Sequence, residues 1–275
     1  MDDAFRSGLV FVLLLVSMGI GMFVRARLSE RHNNRETIEL VGLAITMLVT
    51  FAALVMSLLI YSVKGAFDQA NTDMATFAGR IVELDQCFRN YGPQTEDARI
   101  LLRSYAATVI ATTWPDQPKP AGSNYAIEAL PISPGAMESQ KLGTIVNAIG
   151  LDIRRLHPGS GIQNGLGVTC LADFENFDQA RWTINEEARS TISMPFFVVL
   201  VFWLMVIFVC FGLNAPRTTF VFMTIALCAL SISSAVFVML DMDTPFSGTI
   251  IVSSQPMRNA YADITRPYVY RSVAP

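Results

Sequence analysis

Charge is scarce in this sequence. Asp, Glu, Lys and Arg make up 16% of its 275 residues, against roughly 25% in ordinary soluble domains. Histidine is scarcer still, with His32 in a basic stretch and His157 in a Pro-Gly turn. Neither belongs to an H-E-x-x-H or other spaced ligand set. The four cysteines, Cys87, Cys170, Cys210 and Cys228, include no C-x-x-C pair, so zinc and thioredoxin-type chemistry lose their usual signature. There is no Walker A sequence, no G-x-S-x-G, and no G-x-G-x-x-G after a strand. No run of Lys and Arg interleaved with aromatics offers a nucleic-acid surface. We therefore expect no enzyme, no cofactor, no metal and no nucleic-acid partner.

What the chain has instead is apolar bulk. Hydrophobic residues reach 52% and the mean hydropathy is +0.42, more than a soluble core of this size can bury. A spanning helix needs about 20 apolar residues, and four blocks qualify: residues 8–24, 40–63, 194–213 and 218–240. Only Asn214-Ala215-Pro216-Arg217 separates the last two, which makes them an antiparallel hairpin. Cys210 and Cys228 lie inside these blocks as small hydrophobes. The first block has a second reading, as a cleaved signal peptide. Its start, Met-Asp-Asp-Ala-Phe-Arg, is acidic where signal peptides are basic, so it is kept as a span. Gly19 and Gly21 within it suit close helix packing.

Short cytoplasmic loops collect Lys and Arg. The connector at 25–39 holds Arg25, Arg27, Arg31 and Arg35, with His32, whereas the N-terminal tail offers only Arg6. This connector and the Pro216-Arg217 turn are therefore placed in the cytoplasm. The expected fold is an all-α polytopic membrane protein. Its four transmembrane helices carry a helical extramembrane domain between spans two and three. By residues, 1–63 holds spans one and two, 64–193 an extracytoplasmic helical domain, 194–240 spans three and four, and 241–275 an extracytoplasmic tail.

The polar middle is patterned as helix. From Phe67 the apolar positions run Ala70, Met74, Phe77, Ile81, Leu84, Phe88, Tyr91, an a/d seam continuous with the second span. A single helix from about Glu39 to Tyr91 follows, ended by Gly92-Pro93. Further helices are expected at 95–114, 135–156 and 168–193, with a turn at His157-Pro-Gly-Ser-Gly161. This domain has 15 acidic against 11 basic residues, net −4. That reads either as solvated surface or as attraction of cations toward a mouth.

Intramembrane polarity supplies the site candidates. Thr46, Thr50, Ser57 and Tyr61 are spaced 4, 7 and 4, along one face of the second span, with Glu39 and Lys64 near the ends of the stripe. The face is either a pore or hydrated crevice, or a set of hydroxyls bonded to their own helix and its neighbours. Thr224, Cys228, Ser231 and Ser234 form a similar line in the fourth span, read as packing. Cys87 and Cys170 fall in the polar middle and are a disulfide candidate if that region is outside the cytoplasm. Asp241 and Asp243 precede Thr244-Pro245-Phe-Ser-Gly248. Two carboxylates are too few for calcium, and capping or salt-bridge duty is the expectation.

Several stretches resemble the bacterial bestrophin-like family of unknown function. They are Phe67-Asp-Gln-Ala-Asn-Thr-Asp73, Arg80-Ile-Val-Glu-Leu-Asp85, Asn90-Tyr-Gly-Pro93, and Ala98-Arg-Ile-Leu-Leu-Arg-Ser-Tyr105 with Trp114-Pro115. Leu240-Asp-Met-Asp-Thr-Pro-Phe-Ser-Gly248 and Ile251-Val-Ser-Ser254 complete the set. The resemblance covers nearly the whole chain. It implies a bacterial inner-membrane protein embedded in lipid, forming a homo-oligomer and passing inorganic ions, as an anion channel of bestrophin type would. The sequence lacks the Arg-Phe-Pro motif and the acidic calcium clasp of bestrophins, whose bulk is cytoplasmic. No pore residue is carried over from them.

Overall fold

In the computed structural model the described residues are 2–27, 35–121, 140–187, 194–216 and 218–267. Among them there are eight α-helices, one short 3-10 helix and no strand. The helices are α1 (Asp2–Arg27), α2 (Arg35–Tyr91), α3 (Glu96–Thr113), α4 (Gln140–Arg154), α5 (Gly161–Glu187), α6 (Met194–Asn214), α7 (Thr219–Met242) and α8 (Gln255–Thr265). Four of them, α1, α2, α6 and α7, are long and apolar enough to cross a membrane.

Two units divide the chain. The apolar unit comprises Met1–Phe67, Ser190–Thr244 and Gly248–Ile250. Here α1 packs on both α6 and α7. Its buried stripe, Val10, Leu14 and Met18, meets Leu200, Leu204, Ile207 and Phe208 of α6 and Ala229, Val236 and Leu240 of α7, with Ala52 of α2. The α1–α6 contact is backbone on backbone. A Cβ added to Gly21 would overlap the carbonyl oxygen of Val209, and one added to Gly212 would overlap that of Met18. Gly19 has open space around it, so of the two glycines expected to pack closely only Gly21 does. Arg25 donates to the carbonyl of Ala215 beyond the end of α6, which sets the end of α1 and the α6–α7 link on one side. Thr218 caps α7, its hydroxyl accepting from Val221 N–H.

The polar unit comprises Asp68–Arg189, Pro245–Ser247 and Ile251–Pro275. Along α2 every seam residue from Phe67 to Tyr91 is buried. The helix starts one turn earlier than expected, and Gly65 does not interrupt it. Gly92 ends it at φ 113°, a conformation that glycine adopts without strain. The buried hydroxyl of Thr95 then donates to the carbonyls of Phe88 and Gly92 at 2.7 and 2.8 Å. Phe77 and Phe177 stack at 5.6 Å, and Tyr105 meets both edge-on at 6.4 and 5.5 Å.

Two boundaries differ from the sequence reading. Helix α5 begins at Gly161 rather than Val168. Ser160 and Gln163 form a reciprocal cap: the serine hydroxyl accepts from Gln163 N–H, and the Gln163 side chain accepts from Gly159 N–H. That cap starts a helix ahead of the first strong apolar residue. The expected stretch 241–275 is not simply a tail, because α8 lies within it and packs on α3. Met257, Ala260, Tyr261 and Ile264 of α8 are buried at helical spacing. The expected helix at 135–156 is described from Gln140 onward, and the part before that lies outside the described residues, as does the end of the one expected at 168–193.

Candidate functional site

The hydroxyl face of α2 lies within a sector of roughly 60° at 100° per residue. Thr46, Thr50, Ser57 and Tyr61 are all exposed within the single chain, Tyr61 at 79%. The opposite side of the helix buries Ala52 and packs Leu48, Val55, Met56 and Leu59 against the core. Each aliphatic hydroxyl donates back to the carbonyl four residues earlier, Thr46 to Gly42 at 2.9 Å, Thr50 to Thr46 at 2.8 Å and Ser57 to Ala53 at 2.8 Å. Lys64 is exposed beyond Tyr61. The side chain of Glu39, the other expected end of the stripe, lies outside the described residues.

Asp241 is 2% exposed at the end of α7. Its carboxylate accepts N–H bonds from Thr249 at 2.9 and 3.1 Å and from Ile250 at 2.7 Å. Gly248 makes this possible. Its φ is 120°, and a Cβ there would stand 2.6 Å from the Asp241 carboxylate. The motif Asp241-Met-Asp-Thr-Pro245-Phe-Ser-Gly248 thus encodes a carboxylate-held turn. Asp243 is buried beside it, and Pro245 accepts from Val252 N–H at 2.8 Å within the polar unit. Among the described residues no group of three or more His, Cys, Asp or Glu gathers to hold a metal ion. Gly248→Ala is expected to cost about 2–4 kcal/mol, from backbone strain plus the displaced charge-assisted bonds. A detergent-solubilised thermal melt, compared with Asp241→Ala, checks it.

In the polar unit Cys87 and Cys170 are joined by a disulfide with Cα atoms 5.5 Å apart. The sequence reading assigned no role to Asp85, which the structure makes a hub. It is 2% exposed and accepts from Arg89 at 2.5 Å and Arg99 at 3.0 Å. Arg89 and Arg103 in turn donate to the last carbonyls of α8, Asp263 and Ile264, at 3.0–3.1 Å. Two cations at a helix C-terminus complement its dipole. The signal was present in Arg80-Ile-Val-Glu-Leu-Asp85 and in the i, i+4 pair Arg99 and Arg103, but only the unforeseen α8 gives it meaning. Trp114 likewise donates to the carbonyl of Val252 at 2.9 Å, tying a second family stretch to a third. Asp173 is pushed above the ordinary carboxylate range by burial and by Glu83, with Arg80 pulling the other way.

A bestrophin-like domain model matches residues 11–257 of the chain. Among solved structures, the fold is similar to substituted forms of a bacterial bestrophin homologue from Klebsiella pneumoniae. One is 14% identical with a TM-score of 0.61, covering 96% of this chain and 97% of its own. A second, also 14% identical, has a TM-score of 0.59 over 94% and 97%. A third, 13% identical, has a TM-score of 0.57 over 97% and 100%. No curated protein sequence matches the chain. At these identities the likeness speaks for the fold alone.

Proposed function

Because the chain belongs to the bestrophin-like family, we propose that it is a homo-oligomeric ion channel of the cell membrane, with α2 lining or flanking the pathway. The observation that carries this is how little of α2 the chain covers. Only 11% of its most apolar stretch is buried, against 33% for α1 and for α6 and 17% for α7. The open side carries large apolar side chains, among them Leu43, Met47, Leu54 and Leu58, and along it runs a line of three aliphatic hydroxyls and a phenol. Copies of the chain arranged around an axis turn such a face toward a central path or against a neighbour.

We place the polar unit outside the cytoplasm. Arg25 and Arg27 end α1, as suits a cytoplasmic connector, and a disulfide at Cys87 and Cys170 persists in an oxidising compartment. Purified oligomer in liposomes is then expected to pass inorganic ions. Thr50→Leu, at the middle of the face, lowers the conductance several-fold while assembly is retained. Correctly assembled but electrically silent oligomer sinks the reading.

A second reading has its own support. The hydroxyls of Thr46, Thr50 and Ser57 are each bonded to their own helix, so the face tolerates a dry environment. A non-conducting scaffold or sensor, whose outer helices bind a partner, would be built this way. It predicts a co-purifying protein and a membrane region that water does not cross.

A further inference from the structure

Three charged side chains gather where α2 and α5 run side by side in the polar unit. The disulfide joins Cys87 to Cys170, and about three turns back along α2 Phe77 stacks on Phe177. The helices are therefore antiparallel, and Glu83 of α2 stands level with Asp173 of α5. Arg80, one turn from Glu83 on α2, donates to it at 2.6 Å. Two carboxylates on neighbouring helices thus share one guanidinium, which is already committed to Glu83.

The charges that act on Asp173 from α2 are Glu83 and Arg80. α4 also packs on α5 and brings Asp152 and Arg154. Arg154 lies with Phe174 at Gly150 and donates to the Gly150 carbonyl at 3.4 Å. On α5 itself Glu175 is exposed, and Asp178 is paired with Arg181 at 2.8 Å. Burial and then Glu83 push Asp173 above the ordinary carboxylate range, and Arg80 offsets them only in part. A carboxyl raised in this way penalises the folded chain whenever it is charged. The penalty is complete above the folded value and disappears as pH falls toward the unfolded value of about 4.

We propose that Glu83, Arg80 and Asp173 form a proton-operated clip, which takes up one proton from solvent on Asp173 and holds α2 and α5 together more firmly in mildly acidic surroundings than in neutral ones. The clip is independent of conduction. Melting curves of the full-length protein in detergent between about pH 4 and about pH 8 test it, with Asp173→Asn, Glu83→Gln and the double variant. At the neutral end Asp173→Asn melts about 2–4 °C above wild type, because the amide carries no charge to repel Glu83. That gap closes as pH falls to about 4, where wild type has taken up its proton. Glu83→Gln releases Arg80 to Asp173, so in that background Asp173→Asn gives no gain. A gap that stays constant with pH, a variant that melts at or below wild type at neutral pH, or an equal gap in both backgrounds overturns the clip. An electrically silent oligomer with the pH-dependent gap leaves it standing, whereas a conducting one without the gap removes the clip alone.

Discussion

Gly21→Ala is expected to loosen the apolar unit, lowering its stability by about 1–3 kcal/mol as overpacking does, and Gly21→Val by more. The added carbon has nowhere to go. It would overlap the backbone oxygen of Val209, and a helix carbonyl cannot rotate aside as a side-chain tip can. The contact is reciprocal, since Gly212 stands against the carbonyl of Met18 in the same way, so Gly212→Ala is expected to behave alike. Small residues that let backbones touch are the usual means of helix association in lipid, where apolar burial supplies little drive. Gly19→Ala is the control, two residues away in the same helix with open space at its Cβ. It should be neutral or slightly stabilising, because alanine favours helix over glycine. Fluorescence-detected melts of the four variants in one detergent separate the effects. Equal behaviour of Gly19→Ala and Gly21→Ala would count against the α1–α6 contact.

Removing the bond between Cys87 and Cys170 is the second large effect. The two residues are 83 apart in sequence. Chain-entropy arithmetic for a loop of that length gives about 4.5 kcal/mol, within the 2–5 kcal/mol span usual for lost native disulfides. Cys170→Ser is expected to lower the unfolding temperature of the polar unit, and reducing agent to do the same to the wild type while leaving the variant unchanged. Among the described residues the remaining thiols, Cys210 and Cys228, are free and sit in α6 and α7, so a reductant effect reports on this one bond. A wild type indifferent to reductant, with both thiols open to alkylation, would overturn it.

How much of this was legible in the sequence depended on the range of the physics involved. The four spans and the seam of α2 rest on composition and period, which are local, and the seam positions between Phe67 and Tyr91 are buried as the spacing requires. The end of α2 at Gly92 needed only the backbone freedom of glycine. What could not be read was pairing at a distance. Gly21 and Gly19 look alike in sequence, and only the approach of Gly212 tells them apart. Asp85 looked like one solvated carboxylate among several. Its neighbours Arg89 and Arg99, and the α8 carbonyls that Arg89 and Arg103 reach, become visible only once the chain has folded back on itself. The early start of α5 was legible, because Ser160-Gly-Ile-Gln163 is a capping pattern, but it was outweighed by the Pro and Gly content of the turn before it. For the candidate site, the stripe Thr46, Thr50, Ser57 and Tyr61 could be placed on one face, whereas where the protons pointed could not.

That direction has a consequence of its own. Thr46, Thr50 and Ser57 have each spent their only hydrogen on the helix that carries them. At these three positions the face shows oxygen lone pairs outward, beside exposed apolar side chains such as Leu43 and Leu54. There a visitor bearing protons, such as water, finds somewhere to dock them, while a lipid tail or a neighbour's leucine can settle against them without stranding a donor. Surfaces with that property change their wetting at little cost.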